Sequence, residues 1–430
     1  MTKLNQTKRD MGIYLHIPFC KEKCIYCDFP SYQGLEAYYD SYIEALEGEI
    51  RLWQVEEPWL RTLPIQTFYI GGGTPNVLSL KQWKKLLGIL AKYFVYTPSM
   101  EWTVEMNPGL SEKQFALLQL WKEAGINRIS LGIQTFNNKQ LAFLHRGHTK
   151  QDVYHTVETL LKVGIKNISG DLIYGLPGQS LVDWQTQLGQ IVELPLTHVS
   201  VYGLQLEEGT LLERMVKSGS IKLADEDTLD TMYDLMCSYL PSKGFERYEI
   251  SNFARPGYES QHNSRYWQYK EYIGFGAGSH GFYKPSLNSS YMTSMKNSDA
   301  EVMDRKDDSI KERMRKTVNF DSSYIRYGNH PYVVPYINKV RQGMLPQVET
   351  VAIDSKRFEE DFCFLALRML REGLQEEAFY LATGKELSSV FGQTLDELLT
   401  KGLLFYQEGR YCLTPLGAKE GNYVFSQFIR

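Results

Sequence analysis

Three cysteines stand within eight residues in CKEKCIYC, as Cys20, Cys24 and Cys27, whereas Cys237, Cys363 and Cys412 are scattered. Thiolates spaced Cys-x3-Cys-x2-Cys in one loop can wrap a single soft metal centre, and in a reducing compartment such a cluster reads as a metal site rather than as disulfides. A cubane iron-sulfur cluster ordinarily takes four thiolates, one for each iron. No fourth cysteine stands at comparable spacing: the position two residues on is Phe29, and the other cysteines lie more than 200 residues away. A [4Fe-4S] cluster held by three cysteines leaves one iron open to an external chelate, much as catalytic zinc keeps one position open. S-adenosylmethionine can supply that chelate through its amino and carboxylate groups. The competing reading is a structural Cys3His zinc site completed by His16 or by a distant histidine.

Other polar groups fall at the ends of short β-rich runs. The runs are Ile13 to Ile17, Thr67 to Ile70, Glu101 to Glu105, Arg128 to Ile133, Asn167 to Ile173 and His198 to Gln205. Between them lie helix signals: Ser79 before LKQWKKLLGILAKYF, Ser111 before EKQFALLQLWKEAG, and Lys150 to Val163 closed by Gly164. Alternation of this kind predicts right-handed βα units and a parallel sheet. Glu105, Gln134, Asp171 and Gln205 would then gather at one mouth if the sheet curls. Six units are too few for a closed eight-fold barrel, so the expected fold is α/β, an open, partial (βα)6 TIM-like barrel. TFYIGGGTP places Gly71, Gly72 and Gly73 at the end of the second run, where missing side chains let backbone approach a ligand.

The elements that carry these residues occupy an ordinary globular chain of 430 residues, 43% hydrophobic and 23% charged, with 47 Lys+Arg against 51 Asp+Glu. The formal net charge of -4 argues against a chain built to neutralise phosphates, so nucleic acid is not an expected partner. No uninterrupted stretch of about 18 apolar residues exists, so no transmembrane segment is expected, and IYLHIPF is too short for a signal-peptide core. A cytoplasmic protein is the reading. Three regions are expected: a barrel core over 1–240, an aromatic- and glycine-rich connecting region over 241–350 with a charged linker at Asp299 to Lys316, and a smaller domain over 351–430. In the last region helices precede two β-rich runs around Glu408-Gly409, an α+β, winged-helix-like pattern. Its nine basic and eleven acidic residues from 356 onward favour a docking module or a lid over a DNA reader.

CxxxCxxC with an aromatic before its last cysteine, followed in order by GGGTP, EMNP, GIQTF, LHRGH and DLIYGLPGQ, resembles the radical S-adenosylmethionine superfamily over nearly the whole chain. The resemblance implies a [4Fe-4S] cluster on Cys20, Cys24 and Cys27 that reduces bound S-adenosylmethionine to methionine and a 5'-deoxyadenosyl radical. It further implies S-adenosylmethionine contacts from Tyr14, Gly72, Gly73, Thr74, Glu105, Gln134, Arg146 and Asp171. Glu105 would meet the ammonium and Arg146 the carboxylate, with Gln134 and Asp171 near the ribose or adenine.

YLHIPFC, GGGTP, EMNP, GIQTF and DLIYGLPGQ together look like the coproporphyrinogen-dehydrogenase-like branch. Its oxygen-independent coproporphyrinogen III dehydrogenases carry a further cysteine where Phe29 stands and a longer N-terminal arm than the 19 residues before Cys20. The HemW-type heme chaperones are the better match, and His262-Asn263-x-x-Tyr266-Trp267 is similar to their HNxxYW motif. This resemblance implies heme as bound cargo, heme-acceptor proteins among respiratory membrane hemoproteins as partners, and peripheral association with the membrane. The alternative activity is oxidative decarboxylation of coproporphyrinogen III. An imidazole beside two aromatics can ligate iron axially while the rings stack on a porphyrin, which makes His262, Tyr266 and Trp267 heme candidates; a hydrogen-bonded histidine at a domain seam is the competing reading.

Overall fold

The computed structural model describes residues 9–109, 112–286, 289 and 324–430. Six parallel strands follow one another in chain order at its centre: β1 (Met11–Ile17), β2 (Pro64–Gly72), β3 (Val95–Met106), β4 (Arg128–Gln134), β5 (Asn167–Tyr174) and β6 (His198–Gly203). The crossovers between them carry α1 (Tyr39–Glu56), α2 (Leu80–Tyr93), α3 (Glu112–Ala124), α4 (Asn138–Phe143), α5 (Lys150–Lys162) and α6 (Leu181–Glu193). These are the expected βα units, forming the partial barrel. Capping boxes start three of the helices: Ser79 with Gln82, Thr149 with Asp152 and Ser180 with Asp183. The expected Ser111 cap lies outside the described residues.

Alternate residues of each strand meet different surroundings, because side chains along a strand alternate between faces. Ile13, Leu15 and Ile17 of β1, Trp102 and Val104 of β3, and Ile129, Leu131 and Ile133 of β4 belong to one apolar core with Trp53, Trp83, Trp121 and Trp184 from the helices. The other face is polar. Tyr14 pairs in register with Tyr69, Tyr69 with Thr103, and Thr103 with Arg128. One layer nearer the strand ends, Glu105 pairs with Ser130 and Asp171 with Ser200. A barrel filled only by side chains would be apolar here; this one keeps a polar interior.

The stretch from 241 to 350, expected as a connection, builds both flanks of the sheet. β7 (Glu246–Arg247) and β8 (Asn252–Ala254) extend it antiparallel beyond β6. On the other side β9 (Tyr272–Phe275) runs parallel to β1, followed by antiparallel β10 (His280–Tyr283), β11 (Tyr324–Asn329) and β12 (Gln347–Ile353). Most of these strands have only two to four residues, too few to show an alternating pattern. The Asp299 to Lys316 linker lies outside the described residues.

Between β8 and β9, α9 (Gln261–Trp267) enters the barrel from the end opposite the mouth. Between β6 and β7 run α7 (Leu211–Lys217) and α8 (Glu226–Ser242). The Glu101 carboxylate accepts from the backbone N–H groups of Gln261 (3.0 Å) and His262 (2.9 Å), fixing the helix start inside the sheet. Arg265, buried, reaches Asp10 at the foot of β1 (3.1 Å).

The C-terminal segment has its own core, including Leu367, Phe379, Phe391, Leu398 and Phe428, and a three-stranded sheet of Leu374–Gln375, Arg410–Leu413 and Leu404–Gln407. The hairpin turns on Glu408 and Gly409, both at positive φ. This is the expected small α+β domain. It docks through Leu370 N to Tyr248 O (3.0 Å) and Arg371 to Glu259 (3.3 Å), around a cavity of about 380 Å3 shared with Asp10 and Gln66. Asp10 and Gln66 lie at the N-terminal ends of their strands, so the domain backs the foot of the barrel and is not a lid over its mouth.

Candidate functional site

The cysteine loop leaves the C-terminal end of β1 and is fastened at both base and tip. At the base, Cys20 N donates to Tyr32 O (2.9 Å) and Tyr32 N to Pro18 O (2.7 Å). At the tip, Ile25 N donates to Leu144 O (3.4 Å), Leu212 N donates to Ile25 O (2.9 Å), and the Ile25 side chain is buried among Leu144, Leu176 and Leu212. Each thiol has a polar neighbour: Thr74 Oγ1 donates to Cys20 Sγ (3.5 Å), Arg146 Nη1 donates to Cys24 Sγ (3.4 Å), and Ser31 Oγ lies 3.7 Å from Cys27 Sγ. Burial pushes the Cys20 and Cys27 thiols up. A metal that took them as thiolate ligands would release these protons on binding.

GGGTP wraps the other side. Gly73 N donates to Ile17 O and Thr74 N to Phe19 O, both 2.8 Å, which clamps this turn to the cysteine loop. Gly72 sits at φ +109°, where a side chain would run into the His16 ring, and a Cβ on Gly71 would lie 2.6 Å from the Glu105 carboxyl carbon. Gly72 therefore requires glycine, and a side chain at Gly71 would displace the Glu105 carboxyl. The Glu105 carboxyl accepts from Tyr69 Oη (2.7 Å) and Gly72 N (2.9 Å), while Asp171 accepts from Ser130 Oγ (3.1 Å) and Ser169 Oγ (3.3 Å). Burial raises both acids above the usual carboxylate range. A carboxylate has about four lone-pair sites, so each acid retains acceptor capacity for a ligand.

Cys20, Cys24, Cys27, Gly72, Gly73, Thr74, Glu105, Gln134, Arg146 and Asp171 all line one cavity of about 360 Å3. Gln134 holds φ +67°, an uncommon backbone state for a non-glycine residue and one that recurs at binding sites. Arg146 is held in the lining by the protein itself. Its Nη2 donates to Asn107 Oδ1 (2.5 Å) and Gly132 O (2.6 Å) and its Nη1 faces Cys24, while the buried Nε has no partner. Asn107 was missed in the sequence; it lines the cavity and donates to Thr74 Oγ1 (3.2 Å). Its signal was present, two residues after Glu105 in EMNP.

Two groups of expected residues lie elsewhere. Tyr14 is absent from the cavity lining; its Oη is 2.8 Å from His16 Nδ1, beneath the GGGTP turn. His16 also bonds Pro30 O through Nε2 (2.9 Å), so both ring nitrogens are engaged and the residue does not complete a zinc site. Among the described residues no three His, Cys, Asp or Glu side chains close around a single-ion position. His262, the expected axial ligand, is fully buried in the barrel foot. Its Nδ1 lies 2.9 Å from Thr67 Oγ1, its Nε2 lies 2.8 Å from Tyr266 Oη, and its ring stacks on Tyr69 at 5.3 Å. The imidazole and Tyr266 are thus satisfied interior groups, and Trp267 packs under the Arg368 guanidinium at 4.2 Å. The HNxxYW segment thus plugs the foot of the barrel in this structure.

Residues 14–187 match the profile of the Radical SAM superfamily, and residues 356–418 match that of the HemN C-terminal domain. The chain is similar to the structure of coproporphyrinogen III oxidase (HemN) from Escherichia coli, with a TM-score of 0.77 and 19% identity over 98% of this chain and 90% of that one. The likeness establishes a shared fold. Sheet, cysteine loop and domain order place the protein among the radical S-adenosylmethionine proteins. A heme chaperone HemW of Lactococcus lactis subsp. lactis (strain IL1403) is 34% identical over 97% of this chain and 96% of its own, and one of Bacillus subtilis (strain 168) is 33% identical over 97% and 98%. The chain belongs to the family formed by these HemW heme chaperones. No helix among the described residues is long and apolar enough to cross a membrane.

Proposed function

We propose that Cys20, Cys24 and Cys27 hold a [4Fe-4S] cluster and that the adjoining cavity binds S-adenosylmethionine, in a protein that carries heme and passes it to acceptor hemoproteins. The observation that carries the reading is the convergence of three thiols, Gly72 and Gly73, and two buried acids on one cavity at the strand ends. The residues present fit these groups. Arg146 offers an unpartnered buried Nε beside Cys24, and Glu105 and Asp171 keep free lone pairs. When bound, the cluster supplies an open iron and a reducing electron. The chain's own part is to orient the ligand. Gly72 and Gly73 admit its methionine portion to the backbone, Glu105 receives the ammonium, Gln134 and Asp171 bond the ribose side, and Arg146 holds positive charge against the thiolates and the ligand carboxylate. Heme acceptors among respiratory membrane hemoproteins complete the reading, with transient association at the membrane surface.

The test uses the full chain, reconstituted anaerobically, with S-adenosylmethionine and reductant. Iron and sulfide should reach about four of each per chain. Heme should bind stoichiometrically and move to an apo-hemoprotein, with no protoporphyrinogen formed from coproporphyrinogen III. Multiple-turnover decarboxylation without heme binding would refute the chaperone assignment, and stoichiometric zinc without sulfide would refute the cluster.

A further inference from the structure

Three chain segments meet beside the cysteine loop, at the mouth end of β1, β9 and β10. Pro30 packs so tightly on Gly278 that a Cβ there would lie 2.7 Å from the Pro30 Cβ. Gly278 N donates to His330 O (3.1 Å), Asn329 N to Ser279 O (2.9 Å), and Tyr32 Oη to Pro331 O (3.3 Å). The seam is therefore fixed by backbone. Phe29 is 62% exposed and Tyr332 59% exposed. The Tyr32 ring lies 6.1 Å from that of Tyr332, which lies 5.7 Å from His330. Exposed rings clustered on a rigid ledge suit a flat apolar ligand. Phe29 also borders the cavity of the cysteines, so the ledge continues to its mouth.

The imidazoles sort themselves by availability. His16, His198 and His262 are buried with both ring nitrogens engaged, and buried His148 meets Ile133 O through Nε2; of the exposed His145, His155 and His280, His280 is the one carried by the strands of this seam. The Nδ1 of His330 accepts from Tyr332 N (3.2 Å), which places its proton on Nε2 and spoils that atom as a ligand. His280 opens β10 and is exposed, and neither of its ring nitrogens has a hydrogen bond among the described residues. It pairs with Gly328, whose missing side chain makes room for the ring: a Cβ there would lie 2.9 Å from His280 Cε1. Two cations flank the ledge. Lys23 Nζ donates to Phe29 O (3.1 Å) and Ser31 O (3.0 Å), and Lys339 Nζ donates to Gln347 O (2.9 Å) at the end of the helix that follows Tyr332. A planar tetrapyrrole with a central metal and two carboxylates matches rings, imidazole and lysines together.

We propose that heme binds on this ledge with His280 as an axial ligand, its plane against Phe29, Tyr32 and Tyr332 and its propionates toward Lys23 and Lys339. The proposal rests on the heme-cargo reading above. Full-length protein, His280→Ala, His280→Met and a control, His155→Ala on the exposed face of α5, are titrated anaerobically with heme and, separately, with iron-free protoporphyrin IX. The proposal expects His280→Ala to bind heme about tenfold or more weakly, with the low-spin absorption spectrum lost and restored by added imidazole. His280→Met should give a shifted band, and His155→Ala should behave as wild type. Protoporphyrin IX, which lacks the iron bond, should bind wild type and His280→Ala alike. Heme binding that is unchanged in both His280 variants would overturn the ledge and leave the chaperone reading standing. Absence of heme binding by the wild type would overturn both.

Discussion

Glu49 on α1 is fully buried, and its carboxyl accepts from Gly276 N (2.8 Å), Asn329 Nδ2 (2.6 Å) and Tyr336 Oη (2.6 Å). It thereby ties α1 to the turns that end β9 and β11. Burial raises its pKa to about 7, against the lowering effect of those three bonds. The folded pKa exceeds the unfolded one, so between them the native state holds a proton that the unfolded chain has lost, and stability falls as pH rises toward 7. One pKa unit is about 1.4 kcal/mol, so the wild type should gain roughly 2 kcal/mol from this group as pH falls from 7 to 5.5. Glu49→Gln cannot titrate. Urea unfolding of both proteins across pH 5.5 to 8.5 isolates the effect, because buried His16 and His148, whose pKa values are lowered to about 4, contribute an opposite slope common to both. The difference in unfolding free energy should move in favour of the wild type by roughly 2 kcal/mol on acidification from pH 7 to 5.5, and stay flat above about pH 7.5. A difference that is constant over the whole range would refute the assignment of a buried, proton-holding Glu49.

Cys24→Ser, which also removes the Arg146 contact, should abolish cluster assembly, read as loss of labile sulfide, while the far-UV spectrum stays native. Glu105→Gln should weaken S-adenosylmethionine binding by about tenfold through loss of a charged acceptor; unchanged titration calorimetry would remove Glu105 from the site. His262→Ala leaves Thr67 and Tyr266 without their shared partner in the barrel foot, so it should lower unfolding stability by about 2–4 kcal/mol and leave the heme spectrum unchanged. Gly72→Ala forces a side chain toward the His16 ring at positive φ and should lower both stability and S-adenosylmethionine affinity, checked by urea midpoint and calorimetry.

The barrel and the cavity were largely legible, because each βα unit carries its own local signals. Ser79, Thr149 and Ser180 cap helices by reaching three residues ahead, and the glycines and acids stand at strand ends that periodicity locates. What escaped depends on long-range contact. Nothing in QHNSRYW indicates that Thr67, 195 residues earlier, and Tyr69 enclose His262. Tyr14 has the right spacing from Cys20, yet the inward register of β1 turns it onto His16. Arg146 is held by Asn107 and the Gly132 carbonyl, groups whose positions only the assembled mouth defines. The short flanking strands lacked enough residues to show a period.

The parallel pairing of β1 with β9 also sets a timetable for synthesis. β1 carries the cysteine loop at its end, but the strand that covers its second edge begins only at Tyr272, 255 residues after β1 ends. At about 5–20 residues per second, that edge stays open for roughly 13 to 50 seconds after β1 is made. During this interval an apolar strand with unpaired N–H and C=O groups can recruit another nascent chain. The cysteine loop clamps to β2 much earlier, through Gly73 and Thr74, so the thiols can be gathered for iron long before the barrel foot is plugged. Cluster insertion during translation and protection of the β1 edge by chaperones would then be linked demands, and slowed elongation between residues 72 and 272 would raise aggregation even for a chain whose finished fold is stable.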